Sequence, residues 1–249
     1  MSVKKASKVR MSILAVLAAA LAAPAVPAQF MSTNATVYAP AVTSGVASLN
    51  WAGYALSGGT YTDVQAAWTQ PAANCAGGQA SMSSFWVGLG GFSPTATGVE
   101  QIGTASNCDG KGSPSYFAWY ELFPNPAVTL PISLQPGDKV DARVSFSDGA
   151  YTLTMATTSG GTYSASQPGP GDNTSAEWIT EAPATCTPSF SHCKPLPLTD
   201  FGSVGYTGTS ATPFDGGLYQ ITMVTKSYTP KAAAGPFDGS GFTVSWAHK

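Results

Sequence analysis

Apolar and polar side chains alternate in short runs along most of the chain after residue 50, and glycine, proline and other turn-forming residues separate the runs. A period of two is typical of a β-strand with one buried face. Asp148-Gly149, between two such runs, is a strong β-hairpin signal. The runs predicted as strands are Trp51–Leu56, Tyr61–Thr69, Ser84–Leu89, Gly98–Thr104, Tyr116–Phe123, Lys139–Phe146, Tyr151–Thr157, Ala176–Glu181, Phe201–Tyr206, Leu218–Thr225 and Phe242–Trp246.

No long run with a helical period follows residue 28, so these strands indicate an all-β protein. Antiparallel strands joined by short turns form either a β-sandwich or a β-barrel. The 27 glycines and 19 prolines of the chain agree with a protein that contains many turns. A chain of 249 residues has room for one domain with a sizeable core.

The first 28 residues have the pattern of a secretory signal peptide. Four basic residues precede the apolar run Met11–Leu21, which is too short to span a bilayer, and Val26-Pro27-Ala28 fits a cleavage site. Residues 29–45 are small and polar and are predicted to form a linker or a short pro-segment, followed by the folded domain over residues 46–249. We therefore expect a secreted, extracellular protein that is not bound to a membrane once the signal peptide is removed.

The charge and cysteine content restrict the partners and the compartment. After the predicted cleavage, seven basic residues remain beside thirteen acidic ones, and this balance argues against nucleic acid as a partner. Only 10% of the residues are charged, so few paired carboxylates would be lost in acid, and an acidic workplace is consistent with the composition. The four cysteines of an exported chain are expected to be oxidised, with three pairings to choose from. The short loop favours Cys186 with Cys193, which leaves Cys75 with Cys108.

Several hydrolase mechanisms are excluded by residues that the chain lacks. His192 lies between two cysteines and His248 is next to last, so neither histidine is well placed as the base of a Ser-His-Asp or Cys-His site. The motifs G-x-S-x-G and H-E-x-x-H do not occur, nor do the Asp-Thr-Gly and Asp-Ser-Gly triplets. The cysteine spacing and the two histidines argue against a zinc site. We expect no metal and no cofactor, which leaves carboxylates and amides as candidate catalytic groups.

Carboxylates and an amide occur on strand faces that are otherwise apolar. Alternation places Glu121 on one face with three aromatic residues, and Gln101 between an apolar residue and a glycine. In the predicted strand Ala176–Glu181, the side chains of Glu177 and Glu181 share one face. Such groups are costly to bury without partners, and a cleft in which they meet would explain all of them.

Six motifs, in chain order, resemble those of the glutamic peptidases, also called eqolisins or the G1 peptidase family. They are NWAG from Asn50, WVG from Trp86, Q-x-G from Gln101, AWYE from Ala118, AEW-I-x-E from Ala176 and DFG from Asp200. The resemblance runs from about Asn50 to the C-terminus. It implies an antiparallel β-sandwich of two large sheets that cleaves peptide bonds at acid pH with a Gln–Glu dyad and no metal.

Carried over residue by residue, the resemblance implies that Gln101 and Glu177 form the catalytic dyad. Glu177 would act as general base and acid, and Gln101 would stabilise the oxyanion. Protein or peptide substrates are implied, and we expect a monomer. The positions that match substrate-binding residues of the cleft are Trp51, Trp86, Trp119, Glu121 and Phe123.

The chain also departs from the pattern of the family. Gly90 stands where the family commonly has Asp, Phe117 where it often has Asp, and Phe123 where it often has Tyr. Val99-Glu100 replaces the usual apolar pair before the catalytic Gln. These changes remove polar groups near the dyad and indicate a distant branch with its own substrate preference and pH optimum.

Other interpretations of the same residues remain open. By periodicity alone, Glu177 is a solvated strand carboxylate, and a register shift of one residue would turn Glu100 instead of Gln101 toward the cleft. Glu181 is expected at the surface or in support of the site. The alternative functions are a sandwich glycoside hydrolase that uses Glu121 and Glu177 and a non-catalytic carbohydrate-binding sandwich with stacked tryptophans.

Overall fold

A computed structural model describes residues 37–42, 45–93, 96–186 and 193–249. The described residues form strands and loops, without helices. The strands are β1 Val37–Val42, β2 Gly45–Ser48, β3 Trp51–Ser57, β4 Asp63–Thr69, β5 Ala80–Leu89, β6 Glu100–Asp109, β7 Pro114–Leu122, β8 Val128–Thr129, β9 Lys139–Ser147, β10 Ala150–Thr157, β11 Gly161–Pro168, β12 Ser175–Glu181, β13 Ala184–Cys186, β14 Cys193–Pro195, β15 Ser203–Thr212, β16 Gly217–Val224, β17 Pro230–Ala234 and β18 Gly241–Trp246.

The strands pack as an antiparallel β-sandwich, as the sequence predicts. One layer, named the cleft layer, has the order β16-β3-β12-β5-β6-β7-β8, and the facing layer has the order β11-β10-β9-β4-β15-β18. Strand β17 pairs with both β16 and β18, so hydrogen bonds connect the two layers into one folded sheet. The exception to antiparallel pairing among these strands is β2, which runs parallel to β16.

The core between the layers is built by the alternation that the sequence shows. Along β10, Tyr151, Leu153 and Met155 are buried while the residues between them are half-buried. Strand β9 alternates in the same way, and its buried positions pack against the cleft layer. Each predicted strand overlaps a strand of the structure, because one face of each is apolar enough to exclude water.

Both faces of the central strands of the cleft layer are buried, which alternation alone does not reveal. All seven residues of β12 are buried, and so are the nine residues of β5 from Ser81 to Leu89. One face of this layer contributes to the core between the sheets. The other face carries a second apolar cluster that includes Trp51, Trp86 and Trp119.

Of the two predicted N-terminal segments, the structure describes part of the second. The predicted signal peptide lies outside the described residues. Part of the segment predicted as a linker or pro-segment forms β1, which pairs with β2, and β2 extends the cleft layer beside β16. In the described part of the chain, nothing forms a helix with the length and hydropathy needed to cross a bilayer.

Two disulfides have the pairing that the cysteine spacing predicts. Cys75–Cys108 closes a separation of 33 residues and ties the loop after β4 to the end of β6. Cys186–Cys193 closes a separation of seven residues and joins β13 to β14. Neither disulfide includes a predicted catalytic or substrate-binding residue.

Candidate active site

Three predicted site residues lie in one straight row across the cleft layer. The β12–β5 register pairs Glu177 with Gly88, the β5–β6 register pairs Gly88 with Gln101, and the β6–β7 register pairs Gln101 with Glu121. These four residues lie on the same face of the sheet, because paired residues of neighbouring strands point the same way. The structure therefore brings together a carboxyl, an amide and a second carboxyl from three distant parts of the sequence.

Gly88 supplies the space between Glu177 and Gln101. The two residues are two strand spacings apart, about 10 Å between backbones, and the strand between them carries no side chain in this row. A Cβ at Gly88 would lie 3.1 Å from the Gln101 Cβ and 3.0 Å from Cζ3 of Trp86. The glycine of the WVG motif thus leaves no side chain between Glu177 and Gln101 in this row.

Gln101 is held in place by Glu121. The Gln101 Nε2 donates a hydrogen bond of 2.7 Å to Oε2 of Glu121, and both side chains are fully buried. This contact leaves one N–H of the amide, and the Gln101 Oε1 has no hydrogen-bond partner among the described residues. The structure thereby also fixes the register: Gln101, not Glu100, lies on the face of Glu177.

Glu177 is buried and poorly solvated, not a solvated strand carboxylate. Its side chain is 0% exposed, and neither of its oxygens makes a hydrogen bond of good geometry within the described residues. Burial raises the pKa of Glu177 well above its usual value; Ser175 and the backbone N–H of Phe92 lower it in part, and the charge of Glu100 raises it further. A buried carboxyl with unused oxygens is unusual in a native protein and indicates a functional group.

Tryptophans form the wall of the site one row away from the dyad. The rings of Trp51 and Trp86 pack edge to face with centroids 5.0 Å apart. Trp86 and Trp119 both pair with Gly103, whose missing side chain makes room for them, since a Cβ there would lie 2.5 Å from the Trp86 Cβ. All three indole rings are buried, so they exclude water from the dyad. Phe123 is half-buried and packs against the same cluster.

Glu181 has a structural role that sequence reasoning placed too vaguely. It is fully buried, and therefore not a surface residue. Its Oε2 accepts a hydrogen bond of 2.8 Å from the Trp86 Nε1, and its Oε1 accepts one of 3.2 Å from the Asn50 Nδ2. Glu181 thus fixes the orientation of Trp86 beside the dyad. The feature of the sequence that points to this role is the position of Glu181, four residues after Glu177 on the same strand face.

All four glutamates of the chain are buried, at 1% exposure or less. Glu121, Glu177 and Glu181 lie on the tryptophan-lined face of the cleft layer, and Glu100 lies on the opposite face. The described residues contain no group of three metal-binding side chains that could hold an ion. The chemistry available on this face is therefore that of carboxyls and amides in a water-poor environment.

Comparison with known proteins assigns the chain to a family. Residues 49–233 match the model of the Peptidase A4 family. Aspergillopepsin-2 of Aspergillus niger is 31% identical over 191 residues, a match that covers 66% of this chain and 64% of that protein. The chain thus spans somewhat less than two thirds of the length of this curated relative.

Solved structures are similar over most of the chain. Scytalido-glutamic peptidase, crystallised with a transition state analog inhibitor, superposes with a TM-score of 0.69 at 25% identity over 80% of this chain and 98% of that chain. SCP-B, an eqolisin in complex with the tripeptide Ala-Ile-His, superposes with a TM-score of 0.65 at 24% identity over the same shares and agrees in fold. These neighbours show that the chain has the β-sandwich fold of the glutamic peptidases.

The chain belongs to the Peptidase A4 family, the family of the glutamic peptidases or eqolisins. The family assignment made from the six sequence motifs is confirmed.

Proposed function

We propose that the protein is a secreted acid endopeptidase in which Glu177 and Gln101 form the catalytic dyad. The observation that carries this proposal is the row Glu177–Gly88–Gln101–Glu121, in which a buried carboxyl and an orientated amide share one face with no side chain between them. Protein and peptide substrates follow from the family and from the peptide-based transition state analog bound by scytalido-glutamic peptidase. The signal-peptide pattern and the two disulfides support secretion, and we propose that the enzyme acts as a monomer.

In the proposed reaction, ionised Glu177 takes a proton from a water molecule, and the water oxygen attacks the carbonyl carbon of the scissile bond. The negative charge moves to the carbonyl oxygen, where the second N–H of the Gln101 amide donates a hydrogen bond. Glu177 then returns the proton to the leaving nitrogen, and the C–N bond breaks to give an acid and an amine. The bond from Gln101 to Glu121 keeps the amide in the orientation that this step needs.

The pH dependence follows from the surroundings of Glu177. Its carboxyl must be ionised to accept the proton, so activity falls as the pH falls through its pKa. Burial raises that pKa, and the acid limb of the profile therefore lies at higher pH than a solvent-exposed glutamate would give. Substrate and water bound between Glu177 and Gln101 would supply the hydrogen bonds that the Glu177 carboxylate lacks.

The role of Glu121 distinguishes this proposal from the glycoside hydrolase alternative. That mechanism needs Glu121 and Glu177 to act on opposite sides of one bond, with Gln101 as a bystander. Here Gln101 lies between them in the row, and one oxygen of Glu121 is already occupied by the Gln101 amide. This arrangement favours Glu121 as a support of the amide.

The test is cleavage of denatured casein by purified protein at pH values from about 2 to 7, the range over which carboxyls titrate. Glu177→Gln and Gln101→Ala are compared with the parent, and Asp141→Asn, which changes an exposed carboxylate on β9, is the matched control. We expect both dyad variants to lose at least about 100-fold in kcat/KM, as removal of one oxyanion donor does elsewhere, while the control keeps parental activity. Near-ultraviolet circular dichroism at each pH verifies folding.

Equal cleavage by folded Glu177→Gln and the parent would contradict the proposal. Loss of activity with Glu177→Gln but not with Gln101→Ala, together with cleavage of glycans, would favour the glycoside hydrolase. Sugar binding without any cleavage would favour the carbohydrate-binding alternative.

A further inference from the structure

Glu100 lies directly behind the dyad, on the other face of the same strand. It precedes Gln101 on β6, and its side chain is 1% exposed in the space between the two layers. One of its oxygens, Oε2, has no hydrogen-bond partner among the described residues. The titratable groups that act on it are Tyr151 on β10 of the facing layer, Asp172 in the loop before β12, and Glu177 across the sheet. None of these groups is a cation.

The hydrogen-bond donors around Glu100 are too few for a carboxylate. The Tyr151 hydroxyl has a single proton, and it donates this proton to the Asn173 Oδ1 at 2.6 Å. The Tyr151 oxygen can therefore accept a hydrogen bond from Glu100, but it can donate to Glu100 only by giving up its bond to Asn173. A protonated Glu100 can donate to that oxygen, whereas an ionised Glu100 would draw the Tyr151 proton away from Asn173 and would face the negative charge of Asp172.

The same cluster joins the two strands that carry the dyad. Glu100 is the neighbour of Gln101, and Asn173 comes four residues before Glu177. The backbone of Asn173 is fixed as well, because the Tyr61 N–H donates to its carbonyl at 2.8 Å. Tyr151 thus connects the start of β6 to the segment that leads into β12, through a contact in the core between the layers.

We propose that Glu100 is a positioning residue that holds the dyad in place only while its carboxyl carries a proton. The proton completes a chain of hydrogen bonds from Glu100 to Tyr151 to Asn173, which keeps β6 and β12 in the register of the dyad. Loss of the proton leaves a charge buried between the layers and loosens both strands. This inference rests on the proposed function for its catalytic part, whereas its effect on folding is independent of catalysis.

The sign of the pH effect follows from the two states of the chain. Burial raises the pKa of Glu100 from 4.5 to about 7, opposed in part by Tyr151 and reinforced by Asp172. An unfolded chain therefore releases this proton at lower pH than the folded one. The contribution to stability is intact below about pH 4.5 and is lost as the pH rises toward 7, which corresponds to a change of up to about 300-fold in the unfolding equilibrium constant.

The first experiment measures urea unfolding by tryptophan fluorescence at several pH values from about 4 to 8. Because Glu177 also has a raised pKa, the comparison uses Glu177→Gln as the background and adds Glu100→Gln to it. A glutamine amide can donate to the Tyr151 oxygen at any pH, so the double variant is expected to lose far less stability between pH 4.5 and 7 than the background. Asp141→Asn in the same background is the control, and it should leave the pH dependence unchanged.

The second experiment uses the small number of glutamates. In protein labelled with ¹³C at glutamate carboxyls, the four side chains give four signals, and single Glu→Gln variants assign them. We expect the Glu100 signal of the folded protein to titrate with a midpoint near 7. If Glu100→Gln does not fold, the other three variants assign their own signals in the parent spectrum, and the remaining signal is that of Glu100.

The third experiment connects the cluster to activity. Glu100→Gln in the otherwise parental chain is expected to keep kcat/KM at acid pH and to extend activity toward neutral pH. Tyr151→Phe, which removes the middle of the chain of hydrogen bonds, is expected to lower kcat at acid pH more than it changes KM. The parental protein lacking any peptidase activity would contradict the proposed function but leave the unfolding result interpretable.

The inference is overturned if Glu100→Gln leaves the pH dependence of unfolding unchanged, or if the Glu100 signal titrates near its ordinary value. It is overturned in its catalytic part if the stability changes as expected but the activity profile of the folded variant does not move.

Discussion

Gly88 offers the sharpest test of the geometry of the dyad, because it separates Glu177 from Gln101 without carrying any chemistry. Gly88→Ala would add one methyl group at the centre of the row. The new carbon would lie 3.0 Å from Trp86 Cζ3, 3.1 Å from Gln101 Cβ and 3.1 Å from the carbonyl oxygen of Glu100. Its backbone φ is not in the left-handed region, so the effect is one of space and not of backbone strain.

The expected size of the effect follows from these distances. Carbon atoms pack at about 3.5–4.0 Å, so Gln101 and Trp86 must each retreat by roughly half an ångström. Overpacking of this kind costs about 1–3 kcal/mol of stability. Because a displacement of about 1 Å costs about 100-fold in rate, the shift of Gln101 away from Glu177 should lower kcat/KM by roughly 10-fold to 100-fold.

The assay compares kcat/KM on a peptide substrate at the pH optimum with the stability from urea unfolding at the same pH. Gly205→Ala is the matched control, since it lies in strand β15 and the nearest heavy atom to its added carbon is Thr243 Oγ1 at 3.8 Å. The control should retain parental activity and stability. A folded Gly88→Ala protein with the parental kcat/KM would refute the view that this row is the catalytic site.

Two further predictions concern the supports of the site. Trp86→Phe removes the donor to buried Glu181 and should cost about 1–3 kcal/mol in urea unfolding. Trp246→Phe, whose indole N–H has no hydrogen-bond partner among the described residues, should cost less, and equal losses would contradict the role given to the Trp86–Glu181 bond. Replacing both cysteines of Cys75–Cys108 with serine should lower the free energy of unfolding by about 3.5 kcal/mol. The same change at Cys186–Cys193 should lower it by only about 2.5 kcal/mol, because the loop that this disulfide closes is shorter. The reverse order would show that loop closure does not dominate the effect.

Much of the fold could be predicted because one face of each strand is apolar. The strands missed by the alternation pattern have physical reasons for it. Strand β11 is half-buried or exposed throughout and is built from small polar residues, so it has no apolar face to detect. Strand β17 begins with a proline and continues through three alanines, and it is specified by pairing with β16 and β18.

The site could be predicted in part because its residues interrupt apolar faces. Glu121 and Gln101 stood out for this reason, and their contact follows from their pairing in the β6–β7 register. The contact between Glu181 and Trp86 depends on residues 95 positions apart and on the β12–β5 register, which local patterns do not specify. The role of Gly88 was invisible for the same reason, since a glycine in a strand has meaning only once its neighbours are known.

The two faces of the cleft layer together define a pH window for the protein. On one face, the proposed mechanism requires an ionised Glu177, so its raised pKa would set a lower limit. On the other face, the proposed positioning role requires a protonated Glu100, so its pKa of about 7 would set an upper limit. Low pH has few other targets, because Asp63–Arg143 is the salt bridge found among the described residues, and its arginine is largely exposed. Under these two proposals, a preference for acid comes from where the glutamates are buried, and not from a surplus of acidic residues on the surface.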